Sequence, residues 1–228
     1  MMWSEWFEDN QYLGLRFETE EFLGVFGSAI LKRDALKIHF PDFDFRFVHQ
    51  VHGTEVIDQS QIPPKQLVKA DGHVSKTRGQ ALVIQTADCI PLLLFQPGQV
   101  AALHAGWRGV AGQIVKASRK WFSVPPDLAL VGPHIVQSSF EVGRDVAERL
   151  RLSDPNPECA HHLLGSHEDA SKCRFDLDSL LDRQILAEWP KIQIHRQSVD
   201  TMTDPRFHSF RRDGSAAGRQ FSFVVLKD

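Results

Sequence analysis

The sequence predicts an α/β fold, and three observations carry that prediction. Short apolar runs bounded by turn residues recur along the chain, as strands buried on both faces do. Segments with apolar residues at helical spacing lie between them. No repeat, low-complexity tract or long Pro/Gly/Ser linker divides the 228 residues, so the interleaved elements are read as one layered domain spanning 1–228.

Phe45 to Ile57 is rich in β-branched and aromatic residues and is read as a strand broken at Gly53. Ala81 to Gln85, Pro91 to Phe95 and Val100 to Leu103 follow as buried strands. Leu128 to Val131, Ile192 to Gln197 and Phe221 to Leu226 continue the series. Helices are expected at Val110 to Phe122, where Val110, Ile114, Val115 and Trp121 approximate one face, and at Val142 to Leu152. A third is expected at Leu177 to Trp189, opened by Asp176 and closed by Pro190. Asp154 to Ser171, polar and punctuated by Pro155, Pro157 and Gly165, reads as a surface excursion.

A net charge of −3 gives no global footprint for nucleic acid or an anionic membrane. The longest apolar runs, such as Ile90 to Phe95, are too short to span a bilayer, and the acidic N-terminal stretch does not read as a secretory signal. Cys89, Cys159 and Cys173 are an odd, small set, which suits reduced thiols and a cytoplasmic setting.

Three segments carry residue types that packing alone does not require: His49-Gln50-Val51-His52-Gly53, Thr86-Ala87-Asp88-Cys89-Ile90-Pro91 and Leu103-His104-Ala105-Gly106-Trp107-Arg108-Gly109. In each, a His or Cys sits near a strand end beside a small residue, where a rigid scaffold places site residues. His52, Cys89 and His104 match zinc's preference for nitrogen and sulfur, and three protein ligands leave one tetrahedral position open, as in catalytic sites. The bland alternatives are a small buried hydrophobe for Cys89, a satisfied core histidine for His104 and a turn residue for His52. Spacing alone does not decide between them.

The ordered set HQVHGTEV, TADCIPLLL, HAGWRG, FEVG, FDL and RRDGSAAGR resembles the bacterial laccase-domain family, from about Phe47 to the C-terminus. The resemblance implies a fold of mixed β-sheets flanked by helices. It also implies zinc-dependent purine nucleoside phosphorylase activity accompanied by adenosine deaminase activity, with purine nucleoside and phosphate as substrates. The family's metal ligands fall on His52, Cys89 and His104, which would be the catalytic centre; copper would compete with zinc there in vitro. The chain departs from the family pattern in its segment before the HG motif. It also carries Ser138 and Ser139 in place of a Cys pair, and Asp200 in place of a Cys.

Around the triad, Asp88 is a candidate to orient a ligand imidazole, with a turn-forming Asp as the alternative. Arg108, Arg211, Arg212 and Arg219 are candidates for capturing phosphate, against the alternative of solvated or ion-paired arginines. His134 is a candidate to face the pocket or a loop histidine without a role. Cys159, His161, His162 and His167 form a second cluster with no familiar ligand spacing and are left out of the site.

Phosphorolysis is the leading activity: phosphate attacks the nucleoside C1′ and releases base and ribose 1-phosphate. Deamination is secondary, because the HxE and PCxxC deaminase signature is absent. The alternatives are a cysteine or zinc amide hydrolase of the peptidoglycan-editing type that the resemblance also implies, with Cys89 as nucleophile and His104 as base, a copper-dependent phenol oxidase, and a non-enzymatic binding module.

Overall fold

The structure is a computed structural model describing residues 2–63, 66–197 and 199–228. In chain order the strands are β1 (Met2–Glu8), β2 (Gln11–Glu18), β3 (Phe22–Gly27), β4 (Asp44–Phe47) and β5 (Val56–Asp58), followed by β6 (Gly72–Ser75), β7 (Gln80–Thr86), β8 (Ile90–Gln96), β9 (Gln99–Ala105) and β10 (Leu128–Val131). The series ends with β11 (Glu141–Gly143), β12 (Leu164–Gly165), β13 (Lys172–Phe175), β14 (Gln193–Arg196) and β15 (Gln220–Leu226). The α-helices are α1 (Arg33–His39), α2 (Trp107–Ala111), α3 (Ile114–Ser118), α4 (Arg144–Leu152), α5 (Leu177–Glu188) and α6 (Phe210–Asp213).

Among the described residues these strands form two six-stranded mixed sheets and a small antiparallel one. The first sheet runs β1-β2-β3-β15-β7-β4, with only the β7·β4 pair parallel. The second runs β14-β10-β8-β9-β6-β5, with parallel pairs at its two ends. The third is β11-β13-β12.

Side-chain alternation turns these sheets into layers. On β8, Leu93 and Phe95 face the first sheet and join a core with Phe17, Phe22, Ile84 and Val224. Ile90, Leu92 and Leu94 point the other way, into a larger core closed by Val110, Ile114, Leu150, Leu180, Leu181 and Ile185 from the helices. The outer face of the first sheet is covered by Leu31, Leu36 and Phe40, in and around α1. The result is helix, sheet, sheet, helix. The apolar runs were continuous because both faces of the central strands are buried; each fully buried Leu, Ile or Phe side chain is worth about 1.5–3 kcal/mol.

The α/β class, the mixed sheets and the flanking helices agree with the sequence reading, while several boundaries do not. Phe45 to Ile57 is not one strand: β4 belongs to the first sheet and β5 to the second, and the segment between them crosses from one to the other. The crossing holds its shape because backbone N–H groups of Val51, His52 and Gly53 donate to Asp71, and His52 takes a left-handed φ of 59°. The helix expected from Val110 to Phe122 is instead α2 and α3, parted at Gln113, whose φ is 61°. Val142 and Gly143, expected at the start of a helix, belong to β11, and α4 begins at Arg144. The helix opened by Asp176 is present as α5, with the Asp176 carboxylate accepting from Ser179 N–H. The excursion after Asp154 contains a short 3₁₀ segment, Pro157–Leu163, whose Ala160 and Leu163 are buried. No described helix is long and apolar enough to cross a membrane.

Candidate metal centre

Side chains of residues 82, 84 and 86 on β7, and of 100, 102 and 104 on β9, alternate toward the seam between the sheets. At one end of that seam the apolar series gives way to Thr86 and His104. The chain turns just after Thr86, where Asp88 adopts a φ of 84°, and re-enters the second sheet at Ile90. Cys89 is thereby held at the top of β8. The β4–β5 crossing brings His52 over the same end. The ligand atoms of His52, Cys89 and His104 all lie within 4.8 Å of one another, the one such three-residue group among the described residues. The His52 and His104 rings meet edge-on, with centroids 4.8 Å apart.

The donor set fits a metal. His104 is buried, Cys89 half-buried and His52 exposed, so the group opens on one side. The Asp71 carboxylate, 0% exposed, approaches His104 Nδ1 at 2.8 Å, which assigns the ring proton to Nδ1 and leaves Nε2 to face the centre. Burial pushes the Asp71 carboxyl up, but His104 and the Gly53 and Val51 N–H groups outweigh it and hold the carboxyl below its usual range. Burial likewise opposes ionisation of Cys89, yet the His104 charge and hydrogen bonds from His104 and His52 bring its thiol down to about 6. Burial disfavours the His104 imidazolium, but the Cys89 thiolate and Asp71 raise it to about 9. Without a metal these shifts describe a thiolate–imidazolium pair between Cys89 and His104, and a cation held by Cys89 and His104 Nε2 would take the place of that proton.

Gly106 explains the small residue after His104. A Cβ there would stand 3.0 Å from Cys89 Sγ and 3.3 Å from the His52 ring, so any side chain would press on the donor atoms.

The triad lies in a cleft of ≈ 730 Å³, within the range of small-molecule sites. Arg108, Arg211 and Arg219 line it, as does Arg33, which the sequence reading missed. Arg108 lies 4.3 Å above the Trp107 ring. Arg211 donates to the carbonyls of Glu141 and Ser139, and Arg219 to those of Ala217 and Gly218. Arg212 does not line the cleft. Its guanidinium donates to the carbonyls of Thr201, Met202 and Phe207 and pairs with Asp213, so it fastens the loop.

Asp88 does not orient a ligand imidazole. It accepts from the Thr201 hydroxyl at 2.7 Å and from Arg211 N–H at 2.6 Å, and so fixes α6 against the cleft. The orienting carboxylate is Asp71. A signal for it was present: Ala70-Asp71-Gly72 enters a strand much as Ala87-Asp88-Cys89 does. His134 is 0% exposed, contacts the Gly132 carbonyl through Nδ1 and does not line the cleft. In the second His/Cys cluster, His167 pairs with Glu141 and His162 with the Cys159 carbonyl, so those residues do not converge.

The family described as multi-copper polyphenol oxidoreductase laccase matches residues 30–227. A purine nucleoside phosphorylase from Deinococcus radiodurans is 33% identical over 201 residues, covering 85% of this chain and 75% of its own length. The Escherichia coli purine nucleoside phosphorylase YfiH is 35% identical over 185 residues, covering 79% of this chain and 73% of its own. A protein named adenosine deaminase RL5, from an unknown prokaryote, is 33% identical over 167 residues, or 69% of this chain and 62% of its own. Among solved structures, Neisseria meningitidis NMB0706 superposes with a TM-score of 0.84 at 25% identity, covering 95% of this chain and 100% of that one. On the extent of the family match and these identities, the chain belongs to the multi-copper polyphenol oxidoreductase laccase family.

Proposed function

We propose that the protein is a zinc-dependent purine nucleoside phosphorylase, one unit over 1–228, acting in the cytoplasm on adenosine, inosine and methylthioadenosine. The observation that carries this reading is a His-Cys-His donor set opening into a cleft lined by guanidiniums that meet no acid among the described residues, in a chain whose relatives are named purine nucleoside phosphorylases. His52, Cys89 and His104 would hold the metal, and their nitrogen and sulfur donors favour zinc over harder ions. When bound, zinc supplies Lewis acidity that offsets negative charge at the reacting centre.

The chain's own residues do the rest. Arg108 and Arg211 hold orthophosphate beside the triad, each charge-assisted contact contributing about 1.5–3 kcal/mol. Asp71 keeps His104 in one tautomer and orientation. An oxygen of hydrogen phosphate forms its bond to C1′ as the C1′–N9 bond breaks, and the base leaves with that electron pair and takes up the proton that the phosphate gives up. The products are free purine and ribose 1-phosphate.

Deamination is the second reading, favoured by the relative named adenosine deaminase; here too the HxE and PCxxC signature is absent. A product screen with adenosine, with and without phosphate, on metal-analysed protein tests both. Phosphate-dependent adenine and ribose 1-phosphate support phosphorolysis. Phosphate-independent adenine means hydrolysis, and inosine means deamination.

A further inference from the structure

The charge in the cleft exceeds what one phosphate requires. Four guanidiniums, those of Arg33, Arg108, Arg211 and Arg219, line it, and none is ion-paired among the described residues. Outside the cleft, Arg46, Arg119, Arg151, Arg183, Arg196, Arg206 and Arg212 each meet an acid. Asp88 is the one carboxylate among the described cleft-lining residues, and both its oxygens already accept hydrogen bonds. An orthophosphate dianion would leave part of this positive charge unanswered.

The guanidiniums also divide by position. Arg108 follows the ligand His104 in α2, stacked on Trp107, and the Arg211 backbone is tied to Asp88 beside Cys89. These two belong with the attacking phosphate. Arg33 comes from another layer: it begins α1 on the outer face of the first sheet. Its guanidinium lies 4.0 Å over the Phe47 ring, at the end of β4. Stacking fixes the guanidinium plane and leaves its edge N–H groups free, a seat ready for an oxyanion. In a nucleoside, C1′ must lie at the triad, and C5′ is the ribose carbon outside the ring that can carry a second anion.

Resting on the phosphorolysis reading, we propose that the cleft binds purine nucleoside 5′-monophosphates, with Arg33 on Phe47 as the seat of the 5′-phosphate. Calorimetry on the zinc-loaded full chain tests this directly with AMP, adenosine and inorganic phosphate as separate ligands. AMP binds at least as tightly as adenosine, and its affinity falls with added salt. Arg33→Gln weakens AMP by ~10- to 150-fold relative to adenosine, the fold-change equivalent to one lost charge-assisted contact, and Arg33→Lys recovers part of the loss. Circular dichroism of both variants checks the fold, and Arg33→Lys carries the comparison if the Gln variant is unfolded. No AMP binding overturns the proposal, as does an equal loss for AMP and adenosine. An equal loss for AMP and inorganic phosphate also overturns it, since Arg33 would then belong to the co-substrate seat. Adenosine phosphorolysis measured on the same preparation judges the parent reading separately.

Discussion

One carboxylate, Asp71, sets two of the three donors of the centre. Its Oδ1 lies 2.8 Å from His104 Nδ1 and accepts from His52 N–H at 2.9 Å, while Oδ2 accepts from Gly53 N–H at 2.6 Å. It thus orients one imidazole and shapes the turn that carries the other. Asp71→Asn keeps the size, but the neutral amide is a weaker acceptor, and its NH₂ faces donors. Zinc affinity is expected to drop ~10- to 100-fold, as measured by competition against a chromogenic chelator. Unchanged affinity would mean that Asp71 merely fills space.

Cys89 is either a metal ligand or a nucleophile, and its reactivity separates the two. In the zinc-loaded protein, iodoacetamide is expected to label Cys89 slowly. Removing the metal leaves a thiol brought down to about 6, largely thiolate at neutral pH, and labelling accelerates. Peptide mass spectrometry keeps Cys89 distinct from the exposed Cys159. Activity that survives chelation but is lost on Cys89 alkylation would assign a thiol mechanism instead. Cys89→Ala is also expected to lose stoichiometric zinc.

Gly106 gives the same centre a steric test. Gly106→Ala inserts a methyl group 3.0 Å from Cys89 Sγ, at a position with an ordinary negative φ of −70°. The expected result is a folded protein with weakened zinc binding. Full occupancy in a folded variant would show that the triad has slack the geometry does not suggest.

The central strands were legible because burial on both faces leaves continuous apolar runs; His52, Cys89 and His104 stood out beside turn residues, but it was the ordered family motifs that singled them out as ligands. The N-terminal strands β1 to β3 left a weaker trace: β1 and β2 carry frequent polar positions, and β3, though apolar, pairs on one side with β15 from the other end of the chain. Asp71 was missed for a related reason, since its partners are backbone groups some twenty positions away and His104 lies further on. Ser139 and Asp200, two positions that depart from the family pattern, meet at 2.6 Å and tie the loop after β10 to that after β14. That pairing shows only in three dimensions.

The arginines of the RRDG segment are expected to behave differently from each other. Arg211→Ala and Arg108→Ala should raise the phosphate KM by ~10- to 150-fold, as loss of one charge-assisted contact implies. Arg212→Ala should instead lower the melting temperature, because it strips the carbonyls of Thr201, Met202 and Phe207 of their donors. Steady-state kinetics at varied phosphate, beside thermal melts, distinguish the two behaviours. A raised phosphate KM for Arg212→Ala with unaltered melting would return that residue to the site.

His73 sets an acid limit on the fold, apart from the chemistry. It is 0% exposed, with Nδ1 3.2 Å from Gln59 Oε1. Burial disfavours its charged form, and its pKa falls from 6.5 to about 3. Unfolding frees the imidazole to take up a proton at any pH between those values. The stability associated with neutral His73 is therefore complete above about pH 6.5 and declines as pH falls toward 3, with a slope approaching about 1.4 kcal/mol per pH unit. Carboxylates held below their usual range lose their own contribution mainly below about pH 4. Cys89 and His208, the latter held below its usual range by burial, also titrate between 6.5 and 4, so the share of His73 is the difference between wild type and variant. His73→Gln retains a polar side chain but cannot bind the proton. Urea unfolding at pH 7, 5.5 and 4.5 should show the wild type weakening more steeply than the variant across that interval. Parallel slopes would place the acid sensitivity on other groups.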